Sequence, residues 1–159
     1  VSRGPGHLVR RFFGVLGAAP LRPLEQAWVA RRLHPAECSL FWGQSPPDQR
    51  HGFECACTVA AARPDRPDLA RAALLHDVGK RHAGLGALGR SLATFLDLLH
   101  LPTRGRWAAY LAHDRSGSSD LAKAGAEPVV VAFARHHHGP RPGDVPPADW
   151  DLLCRADHN

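Results

Sequence analysis

A chain of 159 residues, 44% hydrophobic and 22% charged, has the size and composition of one globular domain with a single core. Its uninterrupted apolar stretches, such as residues 129–134, are far too short to span a bilayer, and "RRFFGVLGAAP" near the start carries only a stub of apolar residues, so neither a membrane span nor a signal peptide is expected. The excess of 20 Lys+Arg over 15 Asp+Glu comes almost wholly from Arg and is concentrated early, because Arg3, Arg10, Arg11 and Arg22 all precede the first acid, Glu25. Residues 1–22 therefore read as a basic, flexible segment ahead of a single helical domain over 23–159. That segment could touch nucleic acid, but no aromatic-and-basic binding pattern accompanies it, which favours a solvated tail. The four cysteines, Cys38, Cys55, Cys57 and Cys154, form neither a disulfide framework nor a C-x-x-C pair, and read as small buried thiols in a reducing cytoplasm.

In chain order, "PLEQAWVARRL" (23–33) has Leu24, Ala27, Trp28 and Leu33 at helical spacing, with Pro23 suited to a first turn, and "AECSLFWG" (36–43) predicts a second short helix. Trp28, Phe41 and Trp42 are expected in the core. Asp48 is the expected cap of a third helix whose face carries His51, Cys55, Val59 and Ala62 before Pro64 stops it. Asp68 caps a fourth, with Leu69, Ala72, Ala73 and His76 on one face and Gly79 as terminator. Two successive helices joined by a short loop pack antiparallel, which sets His51, in the first turn of one, beside His76 and Asp77 at the end of the other.

Further on, "GRWAAYLAHD" (105–114) predicts a helix with Trp107, Tyr110 and Leu111 inward and His113 near its carboxyl end, followed by a turn at "RSGSSDLAKAGA" with one or two helical turns. The run "VVVAFARHHHG" could be a strand by composition; Pro128 before it and Gly139 after it favour a helix whose face, Val130, Phe133 and Ala134, leads on to His137. Asp149 or Asp151 can cap a last helix with Trp150, Leu153, Cys154 and Asp157 along one side. The expected fold is thus all-α, a compact bundle with a site between helix ends.

His51, His76, Asp77, His113, His137, His138 and Asp157 each fall near a helix end. Imidazole and carboxylate donors together suit transition metals such as Mn, Fe, Co, Ni or Zn, and one or two such ions would neutralise acids that are otherwise costly to bury. An Asp can bridge two cations; with ions about 3.5–4 Å apart, water loses its proton near neutral pH and a phosphoryl oxygen is polarised, the chemistry of phosphate ester hydrolysis.

The ordered pattern H...HD...D, here His51, His76-Asp77 and Asp157, resembles the HD superfamily of metal-dependent phosphohydrolases, and "HDVGK" is similar to the His-Asp-x-Gly-Lys form of its phosphodiesterase-like members. The resemblance runs from "DQRH" to "ADHN". It implies a helical HD-type domain in which His51, His76, Asp77 and Asp157 hold a first metal, Asp77 bridges to a second, and His113 with His137 and His138 completes that second site. It also implies that Lys80 contacts substrate phosphate and that Asp77 and Lys80 serve catalysis. The Gly-Tyr-Pro motif of the branch that cleaves cyclic dinucleotides is absent from "HHHGPRPGDVPP". Only two residues follow Asp157, so that ligand is expected to fray unless metal or another subunit fixes it.

The expected function is hydrolysis of a nucleotide or related phosphate ester, with a catalytically silent module that binds a nucleotide or regulates a partner as the alternative, and a plain scaffold with a basic tail as a third. His136 is left out because neighbours on a helix point about 100° apart. Asp114 is read as incidental or supporting, and His34, His82, His100 and His158 as surface residues.

Overall fold

The computed structural model describes residues 19–85, 89, 96 and 102–158, and these are all-helical, without a strand. Its helices are α1 (Pro23–Ala30), α2 (Pro35–Trp42), α3 (Pro46–Ala62), α4 (Pro67–Leu75), a 3-10 turn (Val78–His82), α5 (Arg106–Leu111), α6 (His113–Lys123), α7 (Pro128–His136) and α8 (Pro147–His158). Arg3, Arg10, Arg11 and His100 lie outside the described residues. None of the described helices is long and apolar enough to cross a membrane.

Six of these helices begin on proline, whose fixed φ and missing N–H suit the first helical position. This displaces the caps expected from the acids. Ser45 and Arg66, not Asp48 and Asp68, precede α3 and α4. Asp48 sits in the first turn, where it accepts a 2.6 Å bond from Ser45 Oγ. Asp149 lies in the first turn of α8 and is buried, taking Arg63 Nη1 at 2.8 Å on one oxygen and Arg66 Nη1 at 2.7 Å on the other. That pair of charge-assisted bonds fixes the start of α8 to the α3–α4 loop.

The α1 face is rotated from the expected one. Leu24 is 85% exposed, while Leu21, Glu25, Val29 and Leu33 turn inward. The reason is Glu25, which receives Arg50 Nη1 and Nη2 at 3.0 and 2.8 Å and is also gripped by Arg22. The bonds from Arg50 and then Arg22 hold its carboxyl below the usual range. Arg50 also donates to the Ala19 and Pro20 carbonyls, so residues 19–22 pack with the domain. Phe41 is fully buried and Trp28 packs against the core, but Trp42 and Trp107 are partly exposed. Cys55 alone among the four free cysteines is fully buried.

The core proper lies where α3, α4, α7 and α8 meet, with Val59, Leu69, Leu74, Leu75, Val130, Phe133 and Leu153 at its centre. Two contacts bring backbones together beside it. A Cβ on Gly52 would stand 2.7 Å from the Leu74 carbonyl oxygen, so α3 crosses α4 closely at the level of His51 and His76. A Cβ on Gly79 would stand 1.9 Å from the His113 carbonyl oxygen and 2.7 Å from Gly117 N.

Gly79 is therefore not the terminator of α4, which ends at Leu75; it lies within the 3-10 turn and lets that turn rest on α6. The expected single helix over 105–114 breaks at Ala112, and the expected turn after it is the helix α6, with His113 as its first residue. Gly117 sits inside α6 because its missing side chain is what admits Gly79, and Ser116 and Ser118 bond back to carbonyls of their own helix. Tyr110 and Leu111 are only partly buried.

Gly79→Ala is expected to cost about 2 kcal/mol or more in urea denaturation, since neither backbone can yield cheaply. Gly143→Ala, with open space around it, is expected to stay within about 0.5 kcal/mol.

Candidate metal centre

The seven residues singled out by sequence converge. His51 comes from the first turns of α3, His76 and Asp77 from the end of α4, His113 from the start of α6, His137 and His138 from the end of α7, and Asp157 from the last turn of α8. His76, Asp77, His113, His137 and Asp157 are buried, His51 is half-buried and His138 is exposed at the rim.

Two carboxylates organise the cluster. Asp157 Oδ1 lies 3.0 Å from His51 Nε2 and 3.1 Å from His76 Nε2. Asp77 Oδ2 faces His76 Nε2 at 3.5 Å and the Lys80 ammonium, while its Oδ1 faces His113 Nε2 at 3.4 Å and His137 Nε2 at 3.6 Å. The His113 and His138 rings stand 5.3 Å apart, and those of His137 and His138 3.9 Å apart. Asp157 lies within α8, which runs on to His158, and the imidazoles of His51 and His76 stand beside it.

The other ring nitrogens show what these imidazoles offer. His76 Nδ1 lies 2.9 Å from the Ala73 carbonyl, His113 Nδ1 2.7 Å from that of Tyr110, and His137 Nδ1 3.1 Å from that of Ala134. A carbonyl only accepts, so each Nδ1 carries a hydrogen and each ring turns Nε2 inward, as a lone pair whenever the ring is neutral. These lone pairs point at carboxylate oxygens, which are also lone-pair donors. Such an arrangement is repulsive unless positive charge lies between. A cation between the N and O donors gives each of these groups a partner.

Asp77 Oδ1, His113 Nε2 and His137 Nε2 have no hydrogen-bond partner although all three are buried, which fits the same reading. Ligand atoms of His51, His76 and Asp77 lie within 4.8 Å of one another, as do those of His113, His137 and His138. These groups could hold metal ions, with Asp77 facing both.

Burial by itself would raise both carboxyls. For Asp77 the charges of Lys80 and His76 and the nearness of His113 and His137 outweigh it, and for Asp157 His76 and His51 do, so both are held well below the usual carboxylate range. Desolvation, then the neighbouring His137 and His113, push His138 down to about 3, keeping its ring neutral and able to donate.

His136 is exposed, Asp114 is tied to Arg135 at 3.1 Å away from the cluster, and His34, His82 and His158 are on the surface. Lys80 is 5% exposed and bonded to Asp77. Sequence reasoning missed the part of Cys55: its Sγ lies 3.7 Å from His51 Nε2, donates to the Ala156 carbonyl at 3.2 Å, and falls within a third possible ligand group with His51 and Asp157. The signal was its place one helical turn after His51.

Compared with known proteins, the chain matches no family model, no curated protein and no solved structure.

One or two divalent cations per chain are expected by elemental analysis of untagged protein, and fewer in the His113→Ala/His137→Ala double variant. In metal-free protein, Asp77 and Asp157 ionise below their unfolded values. The stability they contribute is complete above about pH 4 and drains away as pH falls beneath it. The urea midpoint is expected to drop steadily as pH falls below about 4, with a shallower slope in Asp157→Asn.

Proposed function

We propose that this chain is a metal-dependent phosphohydrolase of the HD type, acting on a nucleotide or related phosphate ester. The observation that carries the reading is the set of three buried imidazoles, each fixed by a backbone carbonyl, whose Nε2 lone pairs converge on the two oxygens of Asp77 and on Asp157. His51, His76, Asp77 and Asp157 would hold one cation; Asp77, His113, His137 and His138 would hold another. The N and O donors suit Mn, Fe, Co, Ni or Zn. When bound, such an ion makes water a nucleophile near neutral pH and polarises a phosphoryl oxygen.

The remaining work falls to the chain itself. His76, His113 and His137 keep their Nδ1–H on carbonyls, so their orientation is set before substrate arrives, and the Cβ-less contact of Gly79 with His113 keeps Asp77 and His113 in register. The half-buried His51 and the exposed His138 mark the side from which a phosphate can approach. Lys80, beside Asp77, supplies a point charge for a phosphate oxygen. This donor set, in the order of the HD pattern and followed by Lys80, favours hydrolysis over a silent binding module.

His76→Ala and Asp77→Ala are each expected to lower Mn-dependent hydrolysis of phosphate esters about 100-fold or more with the helical circular dichroism retained, and chelation to abolish it in the unsubstituted protein. Turnover that survives both substitutions sinks the assignment. Lys80→Ala is expected to act chiefly on KM, and unchanged kinetic constants would remove Lys80 from the site.

A further inference from the structure

Cys55 stands where α3 meets the end of α8. It lies one helical turn after His51, is 3% exposed, and its thiol donates to the Ala156 carbonyl at 3.2 Å. Ala156 immediately precedes Asp157 and belongs to the last turn of α8, which ends at His158. The last four carbonyls of a helix have no N–H of their own helix to accept from, so this one takes its donor from α3.

The same sulfur flanks the His51 ring, 3.8 Å from Nδ1 and 3.7 Å from Nε2. An atom nearly equidistant from both nitrogens lies close to the plane that bisects the ring between them. That plane is off the outward line of Nε2, along which a cation would bind. Although Cys55, His51 and Asp157 offer donor atoms within 4.8 Å of one another, the sulfur is thus placed to hold the ring and not to share its cation. His76, His113 and His137 are each held by a backbone carbonyl at Nδ1. Among the described residues no carbonyl bonds Nδ1 of His51, and Cys55 takes that place. His51 Nε2 in turn stands 3.0 Å from Asp157 Oδ1.

We propose that Cys55 is a positioning residue of the metal centre: its thiol joins α3 to the end of α8 and holds His51 and Asp157 in the relative position that one cation requires. The inference rests on the metal-dependent reading above. It adds that the His51 half of the centre is set by a contact between two helices, whereas His113 and His137 are each set by a carbonyl three or four residues back. Cys55 therefore acts on the cation at His51 and not on one at His113 and His137.

The test titrates the metal-stripped full chain calorimetrically with Mn, both without other substitutions and in His113→Ala/His137→Ala, where the His51 half binds alone. Cys55→Ala and Cys55→Val are each expected to weaken Mn at that half about 10-fold, the scale for a group that orients a ligand. Cys55→Ser, which keeps a donor for the Ala156 carbonyl, is expected to stay within about 3-fold of the unsubstituted chain. Should the double variant fail to fold, the same series in the otherwise unsubstituted chain decides. Co-loaded protein is expected to lack a sulfur-to-cobalt charge-transfer band in the near ultraviolet; a band that vanishes in Cys55→Ser makes the sulfur a ligand and overturns the positioning role. Unchanged Mn affinity in Cys55→Ala and Cys55→Val also overturns it, as does a loss that Ser does not rescue and that only follows a lowered urea midpoint of the metal-free protein. If the expected affinities hold but no phosphate ester is turned over, the hydrolase reading fails and the role of Cys55 stands. A chain that binds no Mn at all overturns both.

Discussion

The carboxylate of Asp77 is buried where an uncompensated charge would cost several kcal/mol, and the surrounding structure is the answer to that cost. Lys80 approaches one oxygen from the next turn, and His76, His113 and His137 approach from three helices, the inner nitrogens of His113 and His137 without a hydrogen-bond partner. Such a group of donors is stable only in the presence of positive charge. The helices are set by that requirement as much as by their apolar faces, because every ligand sits at a helix end, where a short side-chain reach spans from the core to a common point.

Close backbone approach is what allows this convergence. The Gly52 crossing seats His51 over His76, and the Gly79–Gly117 contact presses the turn that follows Asp77 onto the helix that starts with His113. At the far end of α8, Asp149 bridges Arg63 and Arg66, so the helix that delivers Asp157 is secured at its start by charge and at its end by two imidazoles. Arg50 performs a comparable task for the first helix by clasping Glu25.

Much of this was legible from local pattern. The α7 helix followed from Pro128, Gly139 and the spacing of Val130, Phe133 and Ala134, and the meeting of His51 with His76 followed from two helices and a short loop. Tertiary contact overrode local signals elsewhere. The Gly and Ser of "RSGSSD" resemble a turn, yet Gly117 is helical because Gly79 needs its place; Leu24 has the chemistry of a core residue, yet Glu25 with its arginines turns it outward. Acids near helix starts look like caps, but proline at the first position set the boundary.

The ligands are drawn from five stretches of chain, and His51 and Asp157 are 106 positions apart. A cage of such sequence separation cannot form in a partly folded intermediate, because closing so long a loop has an entropic cost that only the assembled core offsets. Capture of an ion by these groups would therefore be a late event, since a polypeptide emerging from the ribosome offers no complete cage before the last helix has docked. A cation held by these groups would act as a latch on the native state alone, slowing release of the carboxy-terminal helix and tying proteolytic resistance to metal supply.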